Sequence, residues 1–202
     1  MAPKEEVAPT MLIRHQAAGR PRTLTSPSPP HSSPRSFSAT GRSQGPPSPA
    51  RGGILPQGEG GIIRLGDNDG ADCLLLDRLA LGGLWNARQW ERELAEALRP
   101  VLGWRQGDRL LAMASAWLVV DELQITAVAV HPDHRRQGLA RQLLEAMLQL
   151  GREAGAERAT LEVSSANGAA QALYAGLGFQ EVAVRHGYYR NGEDALIQWR
   201  KL

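Results

Sequence analysis

The sequence predicts an α/β fold in which one mixed sheet carries helices on both faces. Three observations predict it. Residues 109–120 and 123–130 are two apolar runs joined by the polar turn Asp121, Glu122, the signature of an antiparallel pair. Residues 123–130 lead into a patterned amphipathic helix and then a further strand, and such a strand–helix–strand unit requires a crossover between parallel strands. The order of elements over the second part of the chain is β α α β β β α β α β β, which combines early antiparallel pairing with a crossover in the middle.

The elements follow in order. Residues 62–65 form a short strand opened by glycines. Asn68 or Asp69 caps a helix reaching Leu81, with Leu74, Leu75, Leu79 and Leu81 on its apolar side and Gly82, Gly83 as its stop. Asn86 caps a second helix that holds Trp90, Leu94 and Leu98 and ends at Pro100. Trp90 falls at core spacing. Residues 101–104 read as a strand, and the turn Gln106, Gly107, Asp108 leads into 109–120. After the strand 123–130, a helix spans 139–154 with Leu139, Leu143, Leu144, Met147 and Leu148 on one side. A strand at 160–164, a short helix at 167–176 and strands at 179–186 and 195–200 complete the chain.

Composition changes sharply near residue 58. Eleven of the thirteen prolines lie between Pro3 and Pro56, and residues 1–58 carry seven basic and two acidic side chains. That segment is poor in large apolar residues and cannot bury enough surface to offset its ordering entropy, so 1–58 is expected to be a disordered extension and 59–202 the folded domain. No acidic residue occurs from Val7 to Gly58. This composition fits an organelle transit peptide, a plain extension, or an upstream start with Met11 or a later site as the true one. The expected location is therefore cytoplasmic, with a plastid or other organelle as the alternative. The folded part sums to about −3 within a chain of +2, so the basic pI near 9.0 belongs to the extension. No basic stripe with aromatics supports direct nucleic-acid binding. No apolar run approaches the ~20 residues of a membrane span. Cys73 is the only cysteine, which excludes an intramolecular disulfide and places it as a small core residue among leucines.

The most informative stretch runs from Val130 through His131, Pro132, Asp133, His134, Arg135, Arg136, Gln137, Gly138 and Leu139 to Ala140. It joins a strand to a helix start, where free backbone N–H groups accept phosphate. Gly138 and Ala140 leave room for a pyrophosphate to reach the backbone, and Arg135, Arg136 and Arg141 add positive charge. His131 and His134 are spaced like metal ligands, but no cysteine or carboxylate cluster accompanies them, and no metal is expected.

Arg135, Gly138 and Ala140 match the pyrophosphate loop Gln/Arg-x-x-Gly-x-Gly/Ala of the GNAT superfamily of acetyl-CoA-dependent N-acetyltransferases, which residues 123–189 resemble. The segments Ala127 to Val130, Leu161 to Val163, Ala166 with Asn167, Ala172 to Tyr174, Leu177 to Phe179, Arg185, Tyr188 with Tyr189, and Glu193 to Ala195 resemble its RimI branch. That branch acetylates the N-terminal alanine of a small-subunit ribosomal protein.

The resemblance implies a GNAT-like fold with a mostly antiparallel, splayed central sheet, a bulge in the strand before the loop, and acetyl-CoA as cosubstrate. It implies that Val128, Ala129 and Val130 hold the pantetheine arm by backbone hydrogen bonds, with an oxyanion donor near Val128. Arg135, Arg136, Gln137, Gly138, Leu139 and Ala140 would hold the pyrophosphate, and Asn167 would be a further cofactor contact. Glu162 resembles the family's general base. On spacing alone it is a strand residue facing away from Leu161 and Val163. Tyr174 resembles the acid that protonates the departing thiolate, although alone it reads as a packing aromatic. Trp85 lies where the family has an acceptor-side loop, and Tyr188 and Tyr189 match a tract near the substrate mouth.

The chain departs from the family at Leu84, commonly proline, at Gln198, usually methionine, and in the short turn Arg190, Asn191, Gly192. These departures leave the cofactor half intact and put the acceptor in question. The resemblance implies a peptide N-terminus as partner, with a ribosomal protein as the first candidate. Another amine acceptor on the same scaffold and a non-catalytic acyl-CoA-binding module are the alternatives.

Overall fold

The computed structural model describes residues 60–202, so the extension expected over 1–58 and the alternative start at Met11 lie outside the described residues. The chain opens with β1 (Gly61–Arg64), a 3₁₀ turn (Asp67–Asp69), α1 (Gly70–Leu81) and α2 (Ala87–Ala95). Three strands follow: β2 (Val101–Gln106), β3 (Arg109–Val119) and β4 (Glu122–Val130). Beyond them come a 3₁₀ turn (Pro132–His134), α3 (Leu139–Glu153), β5 (Arg158–Ser164), α4 (Gly168–Ala175), β6 (Gln180–Arg185) and β7 (Ala195–Lys201). The seven strands lie in the order β1-β2-β3-β4-β5-β7-β6. Only the β4–β5 pair is parallel, as the crossover through α3 demands.

Two apolar clusters sandwich the sheet. One gathers α3 and α4 through Leu143, Leu144, Met147 and Tyr174 against Ile125, Leu161 and Val163. The other gathers α1 and α2 through Leu76 and Trp90 against Met113, Ala127 and Ala129. Residues alternating along β4 thus serve opposite faces.

Three expectations need correction. Leu75 and Leu79, expected on the apolar side of α1, are 60% and 49% exposed, and Cys73, Leu76, Ala80 and Leu81 face the core instead, because the helix turns that stripe to the sheet. α2 ends at Ala95, and Leu98 lies outside it, 64% exposed. Pro100 disfavours helical geometry in the residue before it, and the chain turns early, with Arg99 donating its N–H to Glu96. Asp69 does precede α1, but its carboxylate accepts from the Gly66 N–H and from Arg105 rather than from the helix. The remaining boundaries agree with the pattern reading to within two residues.

Cys73 is fully buried on α1. Burial first, then the nearby Asp69 and Asp72 charges, push its thiol up to about 12, so thiolate is negligible at neutral pH. A chromogenic disulfide reagent should therefore leave the native protein unlabelled and label one thiol as denaturant unfolds it. Rapid stoichiometric labelling in native buffer would contradict this placement.

Candidate active site

The site begins where the sheet opens. The β3–β4 register shifts between Ser115 and Ala116, which leaves Thr126 as an extra residue on β4, buried and donating its hydroxyl to Ser115 at 3.1 Å. Such a bulge bends its strand. The parallel pairing of β4 with β5 runs from Glu122↔Arg158 to Ile125↔Leu161 and stops there. Beyond Thr126, residues Val128, Ala129 and Val130 have no strand partner on the β5 side. Glu162 is the first residue of β5 past the last pair, so its carboxylate stands where the two strands part.

The gap is one wall of a cleft of about 350 Å³ lined by Ala80, Leu81, the Val128, Ala129, Val130 run, Arg135, Arg136, Asn167 and Ala170. At its end α3 begins behind Gly138, whose φ of 81° is left-handed and supplies no capping side chain. The first-turn N–H groups of α3 therefore have no side-chain cap. Arg136 also adopts a positive φ of 62°, a strained setting for a side chain with a Cβ, and such strain concentrates at functional loops. Asn167 caps α4, its Oδ1 accepting from the Ala170 N–H at 3.1 Å, while its buried Nδ2 has no partner. Gln137, Leu139 and Ala140 belong to the same loop and helix start but do not line the cleft.

Glu162 is 7% exposed, so the face it occupies is covered rather than open to water. Arg185 of β6 reaches across β7 and donates Nη1–H to Glu162 Oε1. The Arg185 guanidinium also lies 5.5 Å over the ring of Tyr188. Burial, followed by a hydrogen bond to Glu162 and the charge of that carboxylate, pushes the Tyr188 phenol up to about 12. Tyr189 is buried, its phenol pushed up by burial and then by Glu162, and its hydroxyl has no partner. Tyr174, fully buried on α4, is pushed up by burial and then by Tyr189. Glu162, Tyr189 and Tyr174 thus form one electrostatically connected group. Both phenols stay protonated at neutral pH, as a proton donor must.

The structure therefore gathers Glu162, Tyr188 and Tyr189 and links them through Tyr189 to Tyr174, and none of the four lines the cleft. Trp85 is placed differently. It packs edge-on against Trp90, centroids 4.8 Å apart, on the α1–α2 cluster and outside the cleft lining. His131 accepts from the Asp133 N–H at 3.3 Å and stacks edge-on with His134. Among the described residues no three His, Cys, Asp or Glu side chains are placed to hold a metal, and no helix is long and apolar enough to cross a membrane.

Pattern reading missed two features. Asp77 is fully buried on α1 and accepts from the N–H groups of Leu84 and Trp85, at 2.7 and 2.8 Å, and from the Trp90 indole at 2.9 Å. It shapes the loop between α1 and α2. The available clue was an aspartate near a helix C-terminus, where the macrodipole disfavours it. The second feature is Glu193, which accepts a hydrogen bond from Ser164, two residues beyond Glu162 on the same face of β5. No local pattern signals that contact.

A sheet opened by a bulge, with an uncapped helix N-terminus at one end of the gap and a carboxylate at its edge, offers N–H donors and room for an anionic ligand. Residues 76–179 match the profile of the Acetyltransferase (GNAT) family, and the chain belongs to that family. It is 42% identical over 91 residues to a putative [ribosomal protein bS18]-alanine N-acetyltransferase of Bacillus subtilis, covering 45% of this chain and 60% of that protein. It is 41% identical over 95 residues to the [ribosomal protein bS18]-alanine N-acetyltransferase of Escherichia coli K12, covering 46% and 64%. The match thus spans about 60% of the length of these relatives. The crystal structure of the ribosomal-protein-S18-alanine N-acetyltransferase from Escherichia coli superposes with a TM-score of 0.66 at 31% identity, over 71% of this chain and 94% of that one.

Proposed function

We propose that this chain is an acetyl-CoA-dependent N-α-acetyltransferase with residues 59–202 as its transferase domain, and that its acceptor is the N-terminal alanine of ribosomal protein bS18. The observation that carries the reading is the position of Glu162 at the point where β4 and β5 part, with Tyr188 and Tyr189 close to its carboxylate. A bS18 acceptor requires a compartment with ribosomes, which is the cytoplasm, or a plastid if the extension is a transit peptide.

The cleft residues fit acetyl-CoA, which when bound supplies the acetyl thioester. Arg135, Arg136 and the start of α3 offer charge and N–H groups to the pyrophosphate. The unpaired edge of Val128, Ala129 and Val130 offers hydrogen bonds to the amide-bearing arm, and the orphan Nδ2 of Asn167 supplies another donor. The acceptor α-amine, with a pKa of about 7.7–8.0, is largely protonated at neutral pH and must lose a proton before attack. Glu162 takes that proton, directly or through a water. The amine nitrogen bonds to the acetyl carbon, an N–H near Val128 steadies the oxygen, the C–S bond breaks as Tyr174 delivers a proton to the sulfur, and the second proton, shed by the nitrogen as the amide forms, returns through solvent to the Tyr174 oxygen. Holding amine and thioester together supplies much of the acceleration.

Replacing both Arg135 and Arg136 by Gln should weaken acetyl-CoA binding about tenfold to hundredfold, the ~1.5–3 kcal/mol typical of hydrogen bonds to a charged group. The wild type should show the steeper salt dependence. Calorimetric titration at two ionic strengths checks both, and unchanged affinity would place the phosphates elsewhere.

The function itself is tested by incubating bS18 from the same source with the protein and acetyl-CoA and reading intact mass. One acetyl addition mapped to the N-terminal alanine is the expected result. No addition while acetyl-CoA binds would remove this acceptor. A second reading, another amine acceptor on the same cofactor site, is favoured by Gln198, which is buried with an unpartnered Oε1 where the family has methionine.

A further inference from the structure

The Glu162 carboxylate is held unsymmetrically. Its Oε1 accepts from the Arg185 guanidinium, whereas Oε2 is buried and has no partner. Nearby, the buried Tyr189 hydroxyl feels the Glu162 charge and also has no partner. Two unpartnered polar atoms in one site are costly unless something that visits the site completes them. The Arg185 side chain is 53% exposed and comes from the edge strand β6, two strands away from β5, so it is not required to fill the core. Its guanidinium is braced from the other side by the Tyr188 ring, and the Tyr188 hydroxyl bonds to the same carboxylate.

From this geometry we propose that Arg185 is a positioning residue for the acetyl-transfer reaction. Its planar guanidinium, stacked on Tyr188, fixes the Glu162 carboxylate through one oxygen and so presents the other, with the Tyr189 hydroxyl, to the acceptor ammonium. The inference rests on Glu162 being the proton acceptor. Arg185 does not touch the reacting atoms. It acts by fixing a carboxylate that would otherwise rotate about its terminal torsion, which is broad for Glu. A lysine keeps the charge but loses the planar fork and the stack on the ring, so it replaces arginine only in part.

The test compares the wild type with Arg185→Met and Arg185→Lys, using acetyl-CoA and a peptide carrying the bS18 N-terminus. Arg185→Met should lower kcat about tenfold to hundredfold, a part of the ~10²–10⁴ that a placed base contributes, with the KM for acetyl-CoA unchanged. Arg185→Lys should recover part of that loss, and millimolar guanidinium added to Arg185→Met should recover more. Wild-type kcat in Arg185→Met would overturn the proposal. So would a loss confined to the KM of the peptide, which would make Arg185 an acceptor-binding residue. Crystal structures of the wild type and Arg185→Met decide the matter independently of turnover. Glu162 should hold one rotamer in the first and another, or several, in the second, and an unchanged rotamer would sink the idea. A wild type that binds acetyl-CoA without acetylating the peptide would count against bS18 as the acceptor, and the rotamer comparison would still judge Arg185.

Discussion

Glu162→Gln should lower kcat for acetyl transfer by about two to four orders of magnitude, the range a placed general base contributes, while leaving acetyl-CoA affinity at its wild-type value. The substitution is nearly isosteric. It removes the proton acceptor and the charge facing Arg185 without opening a cavity beneath the sheet, and Arg185 is exposed enough to turn to water. Glu162 is absent from the lining of the cofactor cleft, so calorimetry with acetyl-CoA should not register the change. The residual activity has its own signature. As pH rises through the acceptor amine's range of about 8, more amine is already neutral and the base matters less. Turnover of Glu162→Gln should therefore climb steadily from pH 7 to 9 while the wild type rises less. Wild-type turnover in the variant would remove Glu162 from the mechanism, and a parallel loss of acetyl-CoA binding would recast it as a structural residue.

Much of this fold was legible in the chain because the signals are local. The periodicity of Leu139, Leu143, Leu144, Met147 and Leu148 sets α3, and Gly138 sets its start. Asn86 and Asn167 cap α2 and α4 as their residue types suggest. The site was legible only where it is built from a contiguous loop or strand, as in Arg135, Arg136 and the Val128 to Val130 run. What escaped depends on contacts between distant segments. Alternation placed Glu162 opposite Leu161 and Val163 but could not say that β6 would lay Arg185 across it, 23 residues later in the chain. Likeness points to Trp85 as an acceptor-side residue, but no local pattern tells that its ring packs edge-on against Trp90 beside the α1–α2 core. Leu98 fits the helical period of α2 and still falls outside it, because Glu96 leaves the helix with an extended ψ of 123° and Pro100 bars the chain from resuming it.

Asp77→Ala should be among the most destabilising single changes on the α1–α2 side, at about 3–5 kcal/mol, seen as a fall in Tm of roughly 10–20 °C. The reasoning rests on what the carboxylate leaves behind. Two backbone N–H groups, from Leu84 and Trp85, and the Trp90 indole N–H all end on its two oxygens. Trp90 is fully buried and Leu84 nearly so, and alanine offers them neither an acceptor nor room for water. Asp77→Asn keeps the shape but turns an NH₂ toward at least one of these donors, so it should cost less than alanine yet clearly more than a surface change. The functional consequence should fall on one substrate. We propose that the loop from Gly82 to Asn86 borders the acceptor, as its resemblance implies, and none of its residues lines the cleft with Arg135 and Arg136. In Asp77→Asn the KM for the bS18 peptide should rise while acetyl-CoA affinity stays near its wild-type value. Equal losses for both substrates would mean that Asp77 serves the whole domain. An unchanged Tm in Asp77→Ala would mean that the loop finds its acceptors elsewhere and that the carboxylate does not organise it.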